Sequence, residues 1–411
     1  MPLVRTVVPG PNSRAQVTRL AAHECPAITV RRARRAGSLG AESDDPIVWD
    51  RAIGANVADV DGNVFVDLTA GFGVALVGHR HPAVVAAAQA QSARLIHAMG
   101  DAWPDAQRVD LLERLAAVCP GELSVSILGL SGSDAVDAAI KTARLATGRA
   151  GVLTFERGYH GLALGVLGLQ GYKAAFTEPF ADITHPAVTR LPFGCDAARV
   201  TDALSRGDIG LVLAEPIQGR GGIHPAPPGW LTQVKRAAHR AGALFALDEI
   251  QTGMGRTGAA FAGPAHGVVP DLMCVGKALA GGFPLSACVG TPAVMAAWGR
   301  STGEAIHTQT FLGHPVGCAA ALAVIGLLPE LLVQVQRDAA ALERDLEVPL
   351  RGVGLMRAVP VKGDALAVSR ALLQRGFLVL PAGPDSLSLT PPIGLTPAQR
   401  TGLRDALSEW L

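Results

Sequence analysis

Aromatic side chains make up only 4% of this 411-residue chain, and just two of them, Tyr159 and Tyr172, are tyrosines. Charge of one sign is also missing: the formal net charge is +1 and no basic block occurs, which argues against a grip on nucleic acid or an anionic membrane. No uncharged apolar run reaches the ~18 residues of a membrane span. The start, Met1-Pro2-Leu3-Val4-Arg5-Thr6, lacks the apolar core of a signal peptide. The six cysteines (25, 119, 195, 274, 288, 318) show no CxxC or metal-ligand spacing. Cys274 and Cys288 sit in apolar runs, as small core residues would, and a reducing cytoplasm is the expected compartment. No GxxxxGK[ST] is present, so nucleotide hydrolysis has no phosphate loop. Gly253, Gly255 and Gly258 have dinucleotide-fold spacing, but no strand-to-helix turn and no acidic residue at the required distance go with them.

What is present is a chain long enough for two domains. Residues 1–45 are rich in Pro, Arg and Gly and read as an irregular arm. The stretch Val57–Asp67 reads as a hairpin about an Asp-Gly turn. From about 80 to 320, periodic helices alternate with short apolar strands such as 151–155 and 209–214, which predicts an α/β domain with a mostly parallel sheet covered by helices. The last 90 or so residues read as a smaller α+β unit with strands at 352–356 and 378–380. The expected division is 1–55 for the arm and part of the small domain, 56–320 for the large domain and 321–411 for the small one, so that the small domain draws on both chain ends.

Two residues stand out. The run Ala243–Leu247 reads as a buried strand that delivers Asp248 at its carboxyl end, where open α/β sheets bind ligands. A second run, Leu272–Val275, carries Lys277 onto a glycine-rich turn, a setting that none of the other four lysines shares. An amine and a carboxylate so placed suit pyridoxal phosphate: the lysine takes the aldehyde as a Schiff base, and the carboxylate keeps the pyridine nitrogen protonated. A buried carboxylate must have a cationic partner, which is either that pyridinium or an arginine. Ser131-Gly132-Ser133 leads into an amphipathic helix and, taken alone, reads first as an ordinary N-cap and second as a phosphate seat. Tyr159-His160 can be packing or a stacking platform. Glu215, after the strand 209–214, can be a solvated loop residue or part of the same sheet edge as Asp248.

The segment from Leu247-Asp248-Glu249-Ile250-Gln251-Thr252-Gly253 to Gly258, with Pro270-Asp271-Leu272 and Gly276-Lys277-Ala278, resembles the signature of class III (ω-type) aminotransferases. The likeness extends from about residue 50 to the C-terminus. It implies the type I fold of pyridoxal-phosphate enzymes. By resemblance, Lys277 and Asp248 are catalytic, Gly132 and Ser133 hold the phosphate, Tyr159 stacks on the ring and Gln251 meets its hydroxyl. His160 carries less weight. Thr310, in His307–Pro315, matches a threonine that reaches the phosphate of a neighbouring subunit, which implies a homodimer. Glu215 and Phe72 match positions that face the substrate, Phe72 as an apolar wall.

Three departures bear on substrate. His314 replaces the family's asparagine and reads as a turn variant. Position 220 is Arg where most relatives have Glu. Ser388 stands where many members carry the arginine that clamps a substrate carboxylate, and Leu380 stands at the upstream alternative. No arginine occurs between Arg375 and Arg400, which leaves Arg220 as the candidate for that task. The expected activity is a ping-pong transfer of an amino group from an amino acid or amine to an oxo acid or aldehyde. The rivals are a racemase or epimerase of the same fold and a non-catalytic binding protein that retains it. Donor, acceptor and any assembly beyond the dimer stay open.

Overall fold

The run Ile209–Ala214 is buried at all its positions, as are Gly151–Phe155, Leu272–Val275 and Ser286–Gly290. Strands without a wet face belong inside a sheet covered on both sides. In the computed structural model, which describes residues 1–29 and 46–411, they join one seven-stranded sheet. In chain order its strands are β1 (Val125–Gly129), β2 (Gly151–Phe155), β3 (Val188–Leu191), β4 (Ile209–Ala214), β5 (Leu244–Asp248), β6 (Leu272–Val275) and β7 (Ser286–Gly290). Their spatial order is β1-β7-β6-β5-β4-β2-β3. The neighbours from β6 to β3 all pair in parallel, and β7 alone runs the other way, between β6 and β1.

Alternation along the strands feeds two cores. Val212, Ala214, Phe245 and Leu247 pack with Trp230, Leu231, Val234 and Ala238 of the helix Trp230–Arg240. Leu211, Leu213 and Ala246 face the opposite way, onto Ala135, Val136, Ala139 and Ala143 of the helix Gly132–Thr147. Each large aliphatic buried in this way contributes about 1.5–3 kcal/mol. The alanine face of the second helix lets it lie close to the sheet, and its first turn stands beside the strand ends.

This sheet belongs to a unit made of Pro82–Gln336 and Gly352–Met356, while Met1–His81, Arg337–Arg351 and Arg357–Leu411 form a second unit. The boundaries therefore fall at 81/82 and 336/337 instead of 55/56 and 320/321. The hairpin explains the first shift. Strands Asn56–Asp59 and Val64–Asp67 pair antiparallel as expected, but Val66 and Asp67 then pair in parallel with Phe377 and Leu378 near the C-terminus.

Three further expectations change. The N-terminal arm contains a helix, Pro11–Ala21, whose first N–H groups at Asn12 and Ser13 donate to Asp61 of the hairpin turn at 2.7 and 2.9 Å; a short turn, Pro26–Thr29, follows, and 30–45 lie outside the described residues. Residues 352–356 are not one strand, because Gly354 at φ 58° turns the chain between Arg351–Val353 and Met356–Pro360. Residues 378–380 split between two sheets: Phe377–Leu378 joins the hairpin, and Leu380–Pro381 pairs with Ser386–Leu389. Among the described residues one helix, Pro315–Leu346, is long and apolar enough to cross a membrane, and 56% of its most apolar window is buried inside the protein.

Candidate active site

Five of the strands, β1, β2, β4, β5 and β6, hand a chemically useful residue to the same sheet edge. Beyond β1, the Ser131 side chain accepts from the Asp134 N–H at 3.3 Å, and Asp134 in return accepts from the Ser131 N–H at 2.9 Å. This capping box starts the helix at Gly132 and leaves the amides of its first turn without helical acceptors. Beyond β2, Gly161 (φ 107°) approaches so closely that a Cβ there would stand 2.1 Å from Ser133 Oγ. The Gln170 side chain donates to the Gly161 carbonyl and fixes that turn. A Cβ on Gly132 would stand 2.8 Å from Ile250 Cδ1, beyond β5. The glycines thus bring three loops together around Ser133.

Asp248 ends β5 with its carboxylate buried. Its Oδ1 accepts from the Ile250 N–H at 3.1 Å, and its Oδ2 lies 2.8 Å from Nδ1 of His160. The other ring nitrogen, Nε2, is 3.1 Å from Thr154 Oγ1 on β2. Burial by itself depresses the imidazole's pKa. The hydrogen bond to Asp248 and the charges of Asp248 and Glu215 more than offset that, so the net shift is upward. The partner that the chain itself brings to this buried carboxylate is His160, to which the sequence gave little weight.

Glu215, just past β4, is also buried. Its two oxygens accept the N–H groups of Tyr159 and Gly219, both at 2.9 Å. Burial is the main cause that raises its pKa to about 7, and the nearby Asp248 charge adds to it; His160 and the two backbone donors pull the other way.

Lys277 lies two residues past β6 at φ 44°, a left-handed conformation that costs a non-glycine residue about 1 kcal/mol or more and marks functional positions. Its Nζ donates to Gln251 Oε1 at 3.3 Å. Gly219 backs that amide, since a Cβ there would meet Gln251 Oε1 at 2.0 Å. Desolvation lowers the lysine's pKa to about 8. Asp248 and Glu215 resist that shift, while Arg220 and Arg256 add to it.

Gly132, Ser133, Tyr159, Glu215, Arg220, Asp248, Gln251 and Lys277 all belong to the unit that carries the sheet. Thr310 is exposed on a loop whose Gln309 bonds Asp134 and whose His307 Nδ1 lies 3.1 Å from Lys141 Nζ. His314 serves as a turn residue, its carbonyl accepting the Cys318 N–H at the start of the helix Pro315–Leu346. Phe72 belongs to the other unit, 57% exposed and at φ 66°. The sequence did not single out Thr154 or Gly161. A glycine directly after Tyr-His, at the end of a buried strand, was the available signal for Gly161.

The donor set fits pyridoxal phosphate: an amine whose pKa is lowered to about 8, a buried carboxylate hydrogen-bonded to a histidine, and helix-start amides with a hydroxyl for a phosphate. Fold and site together define a type I pyridoxal-phosphate enzyme. The chain belongs to the class III aminotransferase family, whose model matches residues 39–411. It is 35% identical over 373 residues to acetylornithine aminotransferase of Methanosarcina mazei, covering 89% of this chain and 91% of that protein. It is 36% identical over 379 residues to putrescine aminotransferase of Pectobacterium atrosepticum, covering 86% and 80%. The solved amine transaminase of an uncultivated Pseudomonas species, in its pyridoxal-phosphate-bound form, superposes with a TM-score of 0.81 at 26% identity over 89% of this chain and 94% of that one. The protein is a pyridoxal-phosphate-dependent aminotransferase, and these comparisons give the racemase reading no support.

Proposed function

We propose that Lys277 is the amine that carries the cofactor and shuttles the proton, and that Asp248 is the carboxylate that keeps the ring nitrogen protonated. The observation that carries this reading is the Lys277 amine, with its pKa lowered to about 8, beside a buried Asp248–His160 pair at the ends of adjacent parallel strands. When bound, pyridoxal phosphate supplies an aldehyde carbon that carries the amino group and a ring that takes up electrons from the substrate carbon. A lysine titrating near 8 has a substantial free-base fraction at neutral pH, so Nζ can take a proton from the donor carbon and return it on the cofactor side. His160 orients the Asp248 carboxylate through their hydrogen bond, and Gln251 aims the lysine. The amides of Gly132 and Ser133, with the Ser133 hydroxyl, would bind the phosphate, and Tyr159 would stack on the ring.

Thr310 completes the phosphate site of a second copy in a homodimer, a reading supported by the exposure of Thr310 and Phe311 in the single chain. Glu215 and Arg220 face the substrate. The free state of all six cysteines, three of them buried, supports a reducing compartment such as the cytoplasm. The substrates named for the relatives support a primary amine as donor, and the acceptor is an oxo acid or aldehyde.

The test is a single half-reaction. Holoenzyme is mixed with a panel of amines and amino acids without an oxo acid, and the cofactor's visible absorbance is followed. Stoichiometric loss of the band with at least one donor, abolished in Lys277→Ala, is the expected result. A band unmoved by every donor would overturn the reading.

A further inference from the structure

Arg220 follows Gly219, the residue that binds Glu215 through its N–H and backs Gln251, so it is anchored one residue from groups that meet Lys277. Its guanidinium carbon lies 4.7 Å from the centroid of the Tyr159 ring and 5.6 Å from that of Tyr172. The two rings stand edge to face, 6.4 Å apart at 83°. The chain has no other tyrosine, so its whole supply is gathered around one arginine. Contact with the two aromatic rings positions the guanidinium, whose N–H groups are hydrogen-bond donors. Among the described residues none accepts a hydrogen bond from this guanidinium or forms an ion pair with it. The nearby carboxylate of Glu215 is occupied at both oxygens by the amides of Tyr159 and Gly219. A cation held beside a lysine, with its donors unused, calls for an anion from outside.

The C-terminal sheet includes the strands Leu380–Pro381 and Ser386–Leu389. Ser388 and Leu380, the two positions from which a carboxylate-clamping arginine could come, are cross-strand partners there, and neither carries charge.

We propose that Arg220 is the carboxylate receptor of the substrate site, and that this aminotransferase selects donors and acceptors carrying a carboxylate, which the planar guanidinium binds bidentately. The inference rests on the proposed placement of the reacting amine at Lys277. Tyr159 and Tyr172 are positioning residues that hold the guanidinium.

The experiment compares wild type, Arg220→Gln and Arg220→Lys holoenzyme in the half-reaction. L-alanine, β-alanine and 4-aminobutyrate are each set against the amine that lacks the carboxylate. Wild type should prefer the acid in at least one pair, and the ratio of the two kcat/KM values in that pair should fall about 10- to 100-fold in Arg220→Gln. Arg220→Lys, which keeps the charge without the fork, should recover part of it. A ratio is internal to one protein preparation, so partial misfolding cancels. Calorimetric titration with valerate, which has no amine to transfer, should show a matching loss of affinity in Arg220→Gln. That titration tests Arg220 even if the Lys277 reading fails, which an unmoved cofactor band would reveal separately. A wild type without preference in any pair, a ratio unchanged in Arg220→Gln, or equal valerate affinity in both proteins would overturn the proposal.

Discussion

Glu215 offers a quantitative check on the electrostatics of the site. The side chain is 7% exposed, and burial is the largest cause of the rise in its pKa from 4.5 to about 7. An unfolded chain keeps the ordinary value. Below pH 4.5 both states hold the proton and no stability is lost. Between 4.5 and 7 the unfolded chain releases its proton while the folded protein retains it, so stability falls as pH rises and levels off above 7. At ~1.36 kcal/mol per unit, the rise is worth about 3 kcal/mol. Glu215→Gln removes the titration, so wild type should lose about 3 kcal/mol more than the variant between pH 4.5 and 8. The glutamine also leaves one of the Tyr159 and Gly219 amides facing an NH2 group, which costs about 1–3 kcal/mol. That cost is the same at every pH, so it displaces the curve without changing its slope. Urea unfolding of both apoproteins by tryptophan fluorescence, in steps across this range, measures the difference. Curves that stay parallel to within about 1 kcal/mol would refute the reasoning, because Glu215 would then ionise at its ordinary value in the folded protein.

Three other perturbations probe neighbouring parts of the site. His160→Ala leaves the buried Asp248 carboxylate with only the Ile250 N–H, so it should cost about 3–5 kcal/mol by calorimetric melting of the apoprotein. In an Asp248→Asn background the loss should shrink, and an equal loss in both backgrounds contradicts the pairing. Gly161→Ala would drive a Cβ into Ser133 Oγ, whereas Gly148→Ala, at φ 69° with open space around it, adds only backbone strain. Titration of the apoproteins with pyridoxal phosphate should therefore show about 100-fold weaker binding for Gly161→Ala and little change for Gly148→Ala, since ~3 kcal/mol of overpacking falls on the phosphate seat in the first case alone. Finally, Lys277→Ala and Thr310→Ala chains mixed one to one should recover about a quarter of wild-type activity, because half of the dimers then hold one intact site in two. No recovery would mean that Thr310 serves its own chain, and a Thr310→Ala chain that is active by itself would mean that it serves neither site.

The residues that were legible in the sequence are those whose local pattern carries their position. A strand buried on both faces reads as an unbroken apolar run, and the residue just past it must stand at the sheet edge. Asp248, Glu215 and Lys277 were therefore identifiable before any pairing was known, and the Ser131-Gly132-Ser133 turn was readable as a helix start. The illegible residues are those whose role depends on which distant segment arrives. His160 meets Asp248 across 88 positions of chain, and nothing local distinguishes it from a surface histidine. The hairpin at 56–67 was read correctly as a hairpin but assigned to the wrong unit, because its partner strand at Phe377–Leu378 is more than 300 residues away. Arg220 shows the same limit from the other side. Its identity marked it as unusual, but only the convergence of Tyr159 and Tyr172 from a separate loop sets this arginine against two rings with no acceptor for it among the described residues. Specificity in this fold is therefore written in contacts between loops, while the chemistry common to the family is written at the ends of the strands.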